Sequence, residues 1–119
     1  MTRINKKAVV KYSANQMYAL VNDIEAYPNF LPWCTDACIT SRDNDKLIAA
    51  VSISISRIKK IFITQNTMQQ GSSISMKLIK GPFKKLNGEW QFQDNSDGGS
   101  SVSLDMEFEF KNKLLKYTF

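Results

Sequence analysis

Catalysis in this chain would have to come from carboxylates, lysines or tyrosines, because none of its 119 residues is histidine. That absence removes the Ser-His and Cys-His nucleophile pairs, the HExxH zinc proteases and the common zinc fingers. Cys34 and Cys38 are four positions apart. In an extended strand their Cα atoms lie roughly 13 Å apart, beyond the ~7 Å limit of a disulfide; in a helix they could come close. No further metal-type ligands cluster near them, so free buried thiols and no metal site are the expectation. Glu89, Glu107 and Glu109 alternate with apolar residues, which puts them on polar strand faces where carboxylates are solvated. No paired-carboxylate or nucleophile–base constellation is present, so no catalytic residue is expected and the chain reads as a non-enzyme.

Two other residue classes carry chemistry of a different kind. The first is basic. The chain has 16 Lys and Arg against 11 Asp and Glu, a formal charge of +5, which favours anionic partners such as nucleic acid, ribosome or lipid headgroups. Solubility alone is an equally good reading of such a balance. Arg57, Lys59 and Lys60, then Lys77, Lys80, Lys84 and Lys85, then Lys111, Lys113 and Lys116 fall near expected strand ends. Brought together by hairpins, Lys59, Lys60, Lys80, Lys84 and Lys85 in particular would make one anion-facing patch. No RNP-type aromatic motif accompanies them, so base-specific readout is not expected. The second class is apolar and aromatic, concentrated in YPNFLPWC at 27–34 and in the alternating segments after residue 46.

The elements that position these groups can be read from periodicity. Residues 12–34 hold the one helical stretch. Ser13 and Gln16 form a capping-box pair, and Tyr12 and Met17 occupy the positions of a hydrophobic staple. Met17, Leu20, Val21 and Ile24 recur at helical spacing and define the expected apolar face. Pro28 is the expected stop. Residues 3–11 read as a strand feeding this helix, and 38–42 as a short strand after it. The turn at 42–45 precedes 47–56, where Leu47, Ala49, Val51, Ile53 and Ile55 alternate with serines, the mark of a strand with one packed face. The charged run at 57–60 reads as an exposed connection and 61–68 as the next strand. Ile74, Met76 and Leu78 share a face, as do Leu86, Gly88, Trp90 and Phe92. Gly88 within a strand predicts a bulge or bend. Residues 94–99 form the longest loop, with mobility expected. Val102, Leu104, Met106, Phe108 and Phe110 give the cleanest alternation, and 112–119 read as the first turns of a second helix. One strand, a helical insert and about six further strands in a meander, curling around a helix, make an α+β domain with a groove or cup.

The order of strand, capped helix, YPNFLPWC, meander, GPFKKLNGEW and EFEFKNKLL resembles the coenzyme Q-binding family within the START-like (polyketide cyclase and lipid-transfer) superfamily. The resemblance covers about residues 3–119, and its most specific parts are 27–34 and 81–90. It implies a helix-grip fold: a curved antiparallel sheet with an N-terminal helical insert, wrapped around a long C-terminal helix. The whole of 1–119 is then one START-like domain. The chain departs from the family in having almost none of that C-terminal helix after Phe119, so a truncated closing helix is expected, and with it dimerisation, exchange of elements between chains or poor solubility.

The resemblance further implies non-enzymatic binding of ubiquinone or a similar isoprenoid lipid in an apolar cavity, in support of respiratory electron transport. No cofactor is required. Its bacterial branch implies an alternative, a ribosome-association toxin that binds the large ribosomal subunit and blocks subunit joining. Polyketide cyclase-like catalysis is a third reading, since the superfamily contains such enzymes. For a quinone, Phe30, Leu31 and Trp33 would form the mouth, and Val51, Ile53, Met76, Leu86, Trp90, Phe92, Met106 and Phe108 the concave wall. In sequence terms a core and a ligand wall use the same residues. The expected partners are a hydrophobic small molecule, the large ribosomal subunit and an anionic membrane surface. No apolar run is long enough to span a bilayer, and 1–10 lacks the apolar stretch of a secretory signal. A cytoplasmic location, or a peripheral one at the inner membrane, follows as the expectation.

Overall fold

The computed structural model describes residues 2–55 and 57–111. Seven strands make one antiparallel sheet: β1 (Thr2–Val10), β2 (Cys34–Asp43), β3 (Lys46–Ile55), β4 (Ile58–Gln69), β5 (Ser73–Lys80), β6 (Phe83–Asp94) and β7 (Ser100–Phe110). Their order is β1-β7-β6-β5-β4-β3-β2. From β2 to β7 the chain is a plain meander, and β1 closes the order by lying against β7. Hairpins of this kind need only short turns. At the β2–β3 turn Asn44 takes a left-handed backbone (φ 46°), which Asn tolerates better than most residues. At the β4–β5 turn Gly71 has φ 71° and lies directly against the Asn15 side chain. A side chain there would meet both backbone strain and a clash.

Between β1 and β2 stand an α-helix, α1 (Ala14–Asn22), and a 3-10 helix (Ile24–Asn29). The capping box is present in both halves: Gln16 N–H donates to Ser13 Oγ, and Ser13 N–H donates to Gln16 Oε1. A further cap comes from the sheet, where Asp94 Oδ1 accepts from Ala14 N–H at 2.8 Å.

The helix is shorter than its periodicity predicts, and Pro28 is not what stops it. Val21, Asn22 and Asp23 are poor helix formers, and the chain leaves helical geometry at Asp23. It rewinds as the 3-10 turn, where Pro28 sits just inside a fresh turn closed on the Tyr27 carbonyl by Phe30 and Leu31 N–H. Pro28 is the fifth of the six residues of that 3-10 helix, and its fixed φ suits the turn it occupies. The buried face also differs. Ala14 and Tyr18 are buried with Met17 and Val21 packed beside them, whereas Leu20 is 51% exposed. Tyr12 is exposed as well, so it contributes little of the burial that a staple supplies.

Three strand readings are corrected by pairing. β2 begins at Cys34 rather than at 38, and its two thiols are free. Lys59 and Lys60 belong to β4, opposite Ser54 and Ile53, instead of forming a connection. Gly88 is in regular register between Met76 and Met106, with no bulge. The irregularities fall instead at Cys34/Asp36, Ile39/Ser41, Ile63/Thr64 and Phe83/Lys85, and local bulges of this kind strengthen twist. Gly88 serves close approach: a Cβ there would press on Met76 Cε and Met106 Cβ at 3.2 and 3.3 Å. The 94–99 connection is densely hydrogen-bonded, with Asn95 N–H donating to Gly99 O, Gly99 N–H to Asp97 Oδ1 and Ser101 Oγ–H to Asn95 Oδ1. The second helix expected at 112–119 lies outside the described residues.

Candidate ligand cavity

Inward positions of the curved sheet divide into two populations. Where α1 covers the sheet they are packed. Tyr18 meets Phe92 edge-on at 5.8 Å, Phe92 stacks on Trp90 at 6.3 Å, and Leu47, Ile74 and Met68 are buried beneath. Toward the β3–β4 and β5–β6 turns the same face opens into a cavity of about 440 Å³. That volume lies within the ~300–1,000 Å³ range of small-molecule pockets.

Four phenylalanines stand at the turn end of the cavity. Phe83 stacks on Phe110 at 4.8 Å and meets Phe62 and Phe108 edge-on at 5.9 and 6.1 Å. Ala49, Val51 and Ile53 of β3 form one wall, and Met76, Leu86, Met106 and Phe108 of β5 to β7 form the floor and the opposite side. Ile24, Tyr27 and Trp33 complete the lining from the segment between α1 and β2. Gly88, lacking a side chain between Met76 and Met106, leaves room in that floor.

Polar groups in the lining are few. Tyr27 directs its hydroxyl away, donating to the Val21 carbonyl. Burial, with smaller contributions from Asp23 and Cys34, pushes its phenol up to about 12, so it stays neutral. Burial also raises the Cys34 thiol. On β4, Thr64 and Asn66 project inward side by side, each 5% exposed, and the Thr64 hydroxyl donates to Asn66 Oδ1 at 2.9 Å. Among the described residues no group of three or more metal-ligating side chains comes together. No helix there is long and apolar enough to cross a membrane.

Of the residues singled out from sequence, Trp33, Val51, Ile53, Met76, Leu86, Met106 and Phe108 line this cavity. Four do not. Phe30 is half exposed and packs edge-on against Tyr27 at 5.8 Å, outside the cavity. Leu31 packs against the core. Trp90 and Phe92 point inward but lie under α1, where helix side chains have taken the space. Sequence reasoning missed Ile24, Tyr27, Ala49, Phe62, Thr64, Asn66, Phe83 and Phe110. Ala49 and Phe110 were on alternations already read. Phe62, Thr64 and Asn66 share the inward face of β4 with Met68, but two polar residues in that row hide the pattern.

The basic residues gather only in part. Arg57 in the β3–β4 turn, Lys59 and Lys60 at the start of β4, Lys80 at the end of β5 and Lys84 at the start of β6 are all exposed at one end of the sheet. Lys85 pairs with Glu107 at 3.5 Å, which offsets its charge locally. Lys77 is exposed in mid-strand opposite Asn87. Lys113 and Lys116 lie outside the described residues.

Comparison with known proteins places the chain among relatives. Residues 10–119 match the model of a family described as polyketide cyclase / dehydrase and lipid transport. The chain is 44% identical over its full length to a ribosome association toxin of Escherichia coli strain K12, covering 75% of that protein. It is 25% identical over 107 residues to a mitochondrial coenzyme Q-binding protein of Dictyostelium discoideum, covering 87% of this chain and 52% of that protein. A START superfamily protein from Mycobacterium smegmatis superposes with a TM-score of 0.81 at 22% identity, over 98% of this chain and 85% of that one.

Proposed function

Because the chain belongs to the START-like family of polyketide cyclases, dehydrases and lipid-transport proteins, we propose that it binds a hydrophobic small molecule non-enzymatically in the concave cavity. A ubiquinone-like isoprenoid lipid is the ligand we favour. The observation that carries this reading is the 440 Å³ hollow walled by aliphatic and phenylalanine side chains. Such a wall needs little more than burial to hold an isoprenoid, at ~0.8 kcal/mol per methylene removed from water. The similarity to a coenzyme Q-binding protein supports the choice of lipid. Catalysis is the weaker reading, since no carboxylate, lysine or cysteine is among the lining residues and the Tyr27 hydroxyl is tied to a backbone carbonyl. No cofactor is needed for a role of this kind.

The test is direct. Trp33 lines the cavity, so a short-chain ubiquinone added to delipidated protein should quench its fluorescence saturably, and filling the hollow with Ala49→Leu should weaken the response at least tenfold. Absent quenching removes the quinone as the ligand, and quenching indifferent to Ala49→Leu removes the cavity as its site.

A second reading is favoured by one specific observation, the 44% identity to a protein named as a ribosome association toxin. The exposed cluster of Arg57, Lys59, Lys60, Lys80 and Lys84 offers the charge that phosphate-rich surfaces bind. Overproduction would then shift sucrose gradients from joined ribosomes to free subunits, and Lys59→Glu with Lys80→Glu and Lys84→Glu would abolish the shift. An unaltered gradient on overproduction ends that reading. The two functions use different surfaces and do not compete.

A further inference from the structure

A strand position that faces an apolar hollow is most stable with an apolar side chain, and β3 keeps to that rule with Ala49, Val51 and Ile53. β4 does not. Its two inward residues opposite Ala49 and Leu47 are Thr64 and Asn66, both buried and both lining the hollow. They are in the middle of the sheet, with Met76 beside Asn66 on β5, so neither borders an exposed edge. Local rules broken in this way, with nothing in the fold requiring it, are characteristic of functional positions.

The hydrogen-bond inventory of the pair is incomplete. A primary amide offers two N–H donors and one carbonyl acceptor, and a hydroxyl donates once. Thr64 spends its donor on Asn66 Oδ1. Among the described residues nothing accepts from Asn66 Nδ2. The fully buried side-chain atoms without a partner among the described residues are Asn22 Oδ1 and Ser100 Oγ; the Asn66 amide instead lines the cavity, where an N–H without a protein acceptor can be satisfied by whatever occupies the space. Trp33, the other lining residue with a free N–H, stands 39% exposed at the rim, where water serves it.

We propose that Asn66, oriented by Thr64, is a polar anchor that donates a hydrogen bond to a carbonyl oxygen of the guest, so that the cavity selects carbonyl-bearing apolar molecules over plain hydrocarbons. This rests on the reading of the hollow as a ligand site and adds to it the chemical feature the ligand must carry. It also fixes an orientation. The carbonyl lies at mid-sheet against β4, while the apolar remainder lies along Phe62, Phe83, Phe108 and Phe110 toward the turns. A quinone and an aliphatic ketone both meet the requirement; the phenylalanine cluster accepts either a ring or a chain.

The experiment compares matched probes on the full chain: dodecane, dodecan-2-one and a short-chain ubiquinone, each titrated by displacement of a fluorescent apolar dye. The ratio of dodecan-2-one to dodecane affinity should be roughly tenfold higher in wild-type protein than in Asn66→Leu, with both proteins still binding dodecane; comparing ratios cancels the cost of stripping water from the ketone. The ubiquinone arm separates sources: tighter ubiquinone binding than dodecan-2-one, lost in Asn66→Leu, assigns the anchor to a quinone, and the reverse order assigns it to an aliphatic ketone. A dodecan-2-one to dodecane ratio that is the same in wild-type protein and Asn66→Leu overturns the anchor and shows that water alone satisfies Asn66, leaving the ligand cavity standing. Binding of none of the three overturns both. Should Asn66→Leu fold poorly, the wild-type complex still decides. The carbonyl stretch of bound isotope-labelled dodecan-2-one should fall below its position in hexane, and an unshifted band rules the anchor out.

Discussion

The two ends of the concave face are built from similar residues and reach opposite outcomes. Under α1, Tyr18, Trp90 and Phe92 interlock, and the backbone is fixed by the capping box and by the Asp94 cap on Ala14. At the turn end, Phe62, Phe83, Phe108 and Phe110 touch one another but leave space between themselves and β3. What separates the ends is whether a helix supplies side chains to fill the curve. A single bowed sheet buries its concave face only where another element packs against it. The packed end therefore serves stability, and the open end holds the cavity in which we propose that a ligand binds.

That contrast can be broken or sharpened by substitution. The largest effect is expected from Phe92→Ala, which removes a 5%-exposed ring from the packed end and should cost about 3–5 kcal/mol in urea unfolding. An effect under about 1 kcal/mol would mean that the helix end is as loosely filled as the other. Next comes a matched pair. Ala14→Leu enlarges a buried side chain where no space exists and should cost about 1–3 kcal/mol. Ala49→Leu makes the same change at a residue 1% exposed but facing the cavity, and its urea midpoint should not fall. Equal losses at both positions would show that the hollow closes in solution.

Smaller effects follow from single hydrogen bonds. Ser13→Ala removes the capping hydroxyl and should cost about 1 kcal/mol, read as a lower thermal midpoint. Tyr27→Phe frees the Val21 carbonyl at a similar cost of about 1 kcal/mol. Tyr27 also makes a pH prediction. Its phenol is raised from 10.0 to about 12, so the folded state favours the neutral form. The associated stability is fully present below pH 10 and is lost as the pH climbs toward 12. Wild-type protein should therefore lose stability across that window more steeply than Tyr27→Phe, measured by urea midpoints at each pH.

Much of this architecture was legible before any coordinates. The later strands were legible from alternation, because period-two burial is imposed by the pleat itself, whereas 3–11 and 38–42 were read as strands without it. The capping box was legible because its partners are three residues apart. Helix length was misjudged, since Ile24 continues the apolar spacing beyond the point at which Asn22 and Asp23 let the backbone go. Lys59 and Lys60 read as a loop because charge marks exposure, and an exposed strand face satisfies that signal equally well. Trp90 and Phe92 were assigned to the cavity wall because alternation reports which side of the sheet a residue faces, and says nothing about what already stands opposite.

By itself, the sequence determined the strand set, the entry into the helix, the absence of histidine chemistry and the basic surplus, all of them properties of local spacing or of composition. Tertiary structure alone decided which inward residues border empty space, that β4 turns Thr64 and Asn66 into it, and which lysines share one end of the sheet. Those outcomes depend on register between strands far apart in the chain and on the volume left over after α1 has packed. Neither quantity is carried by any short window of residues.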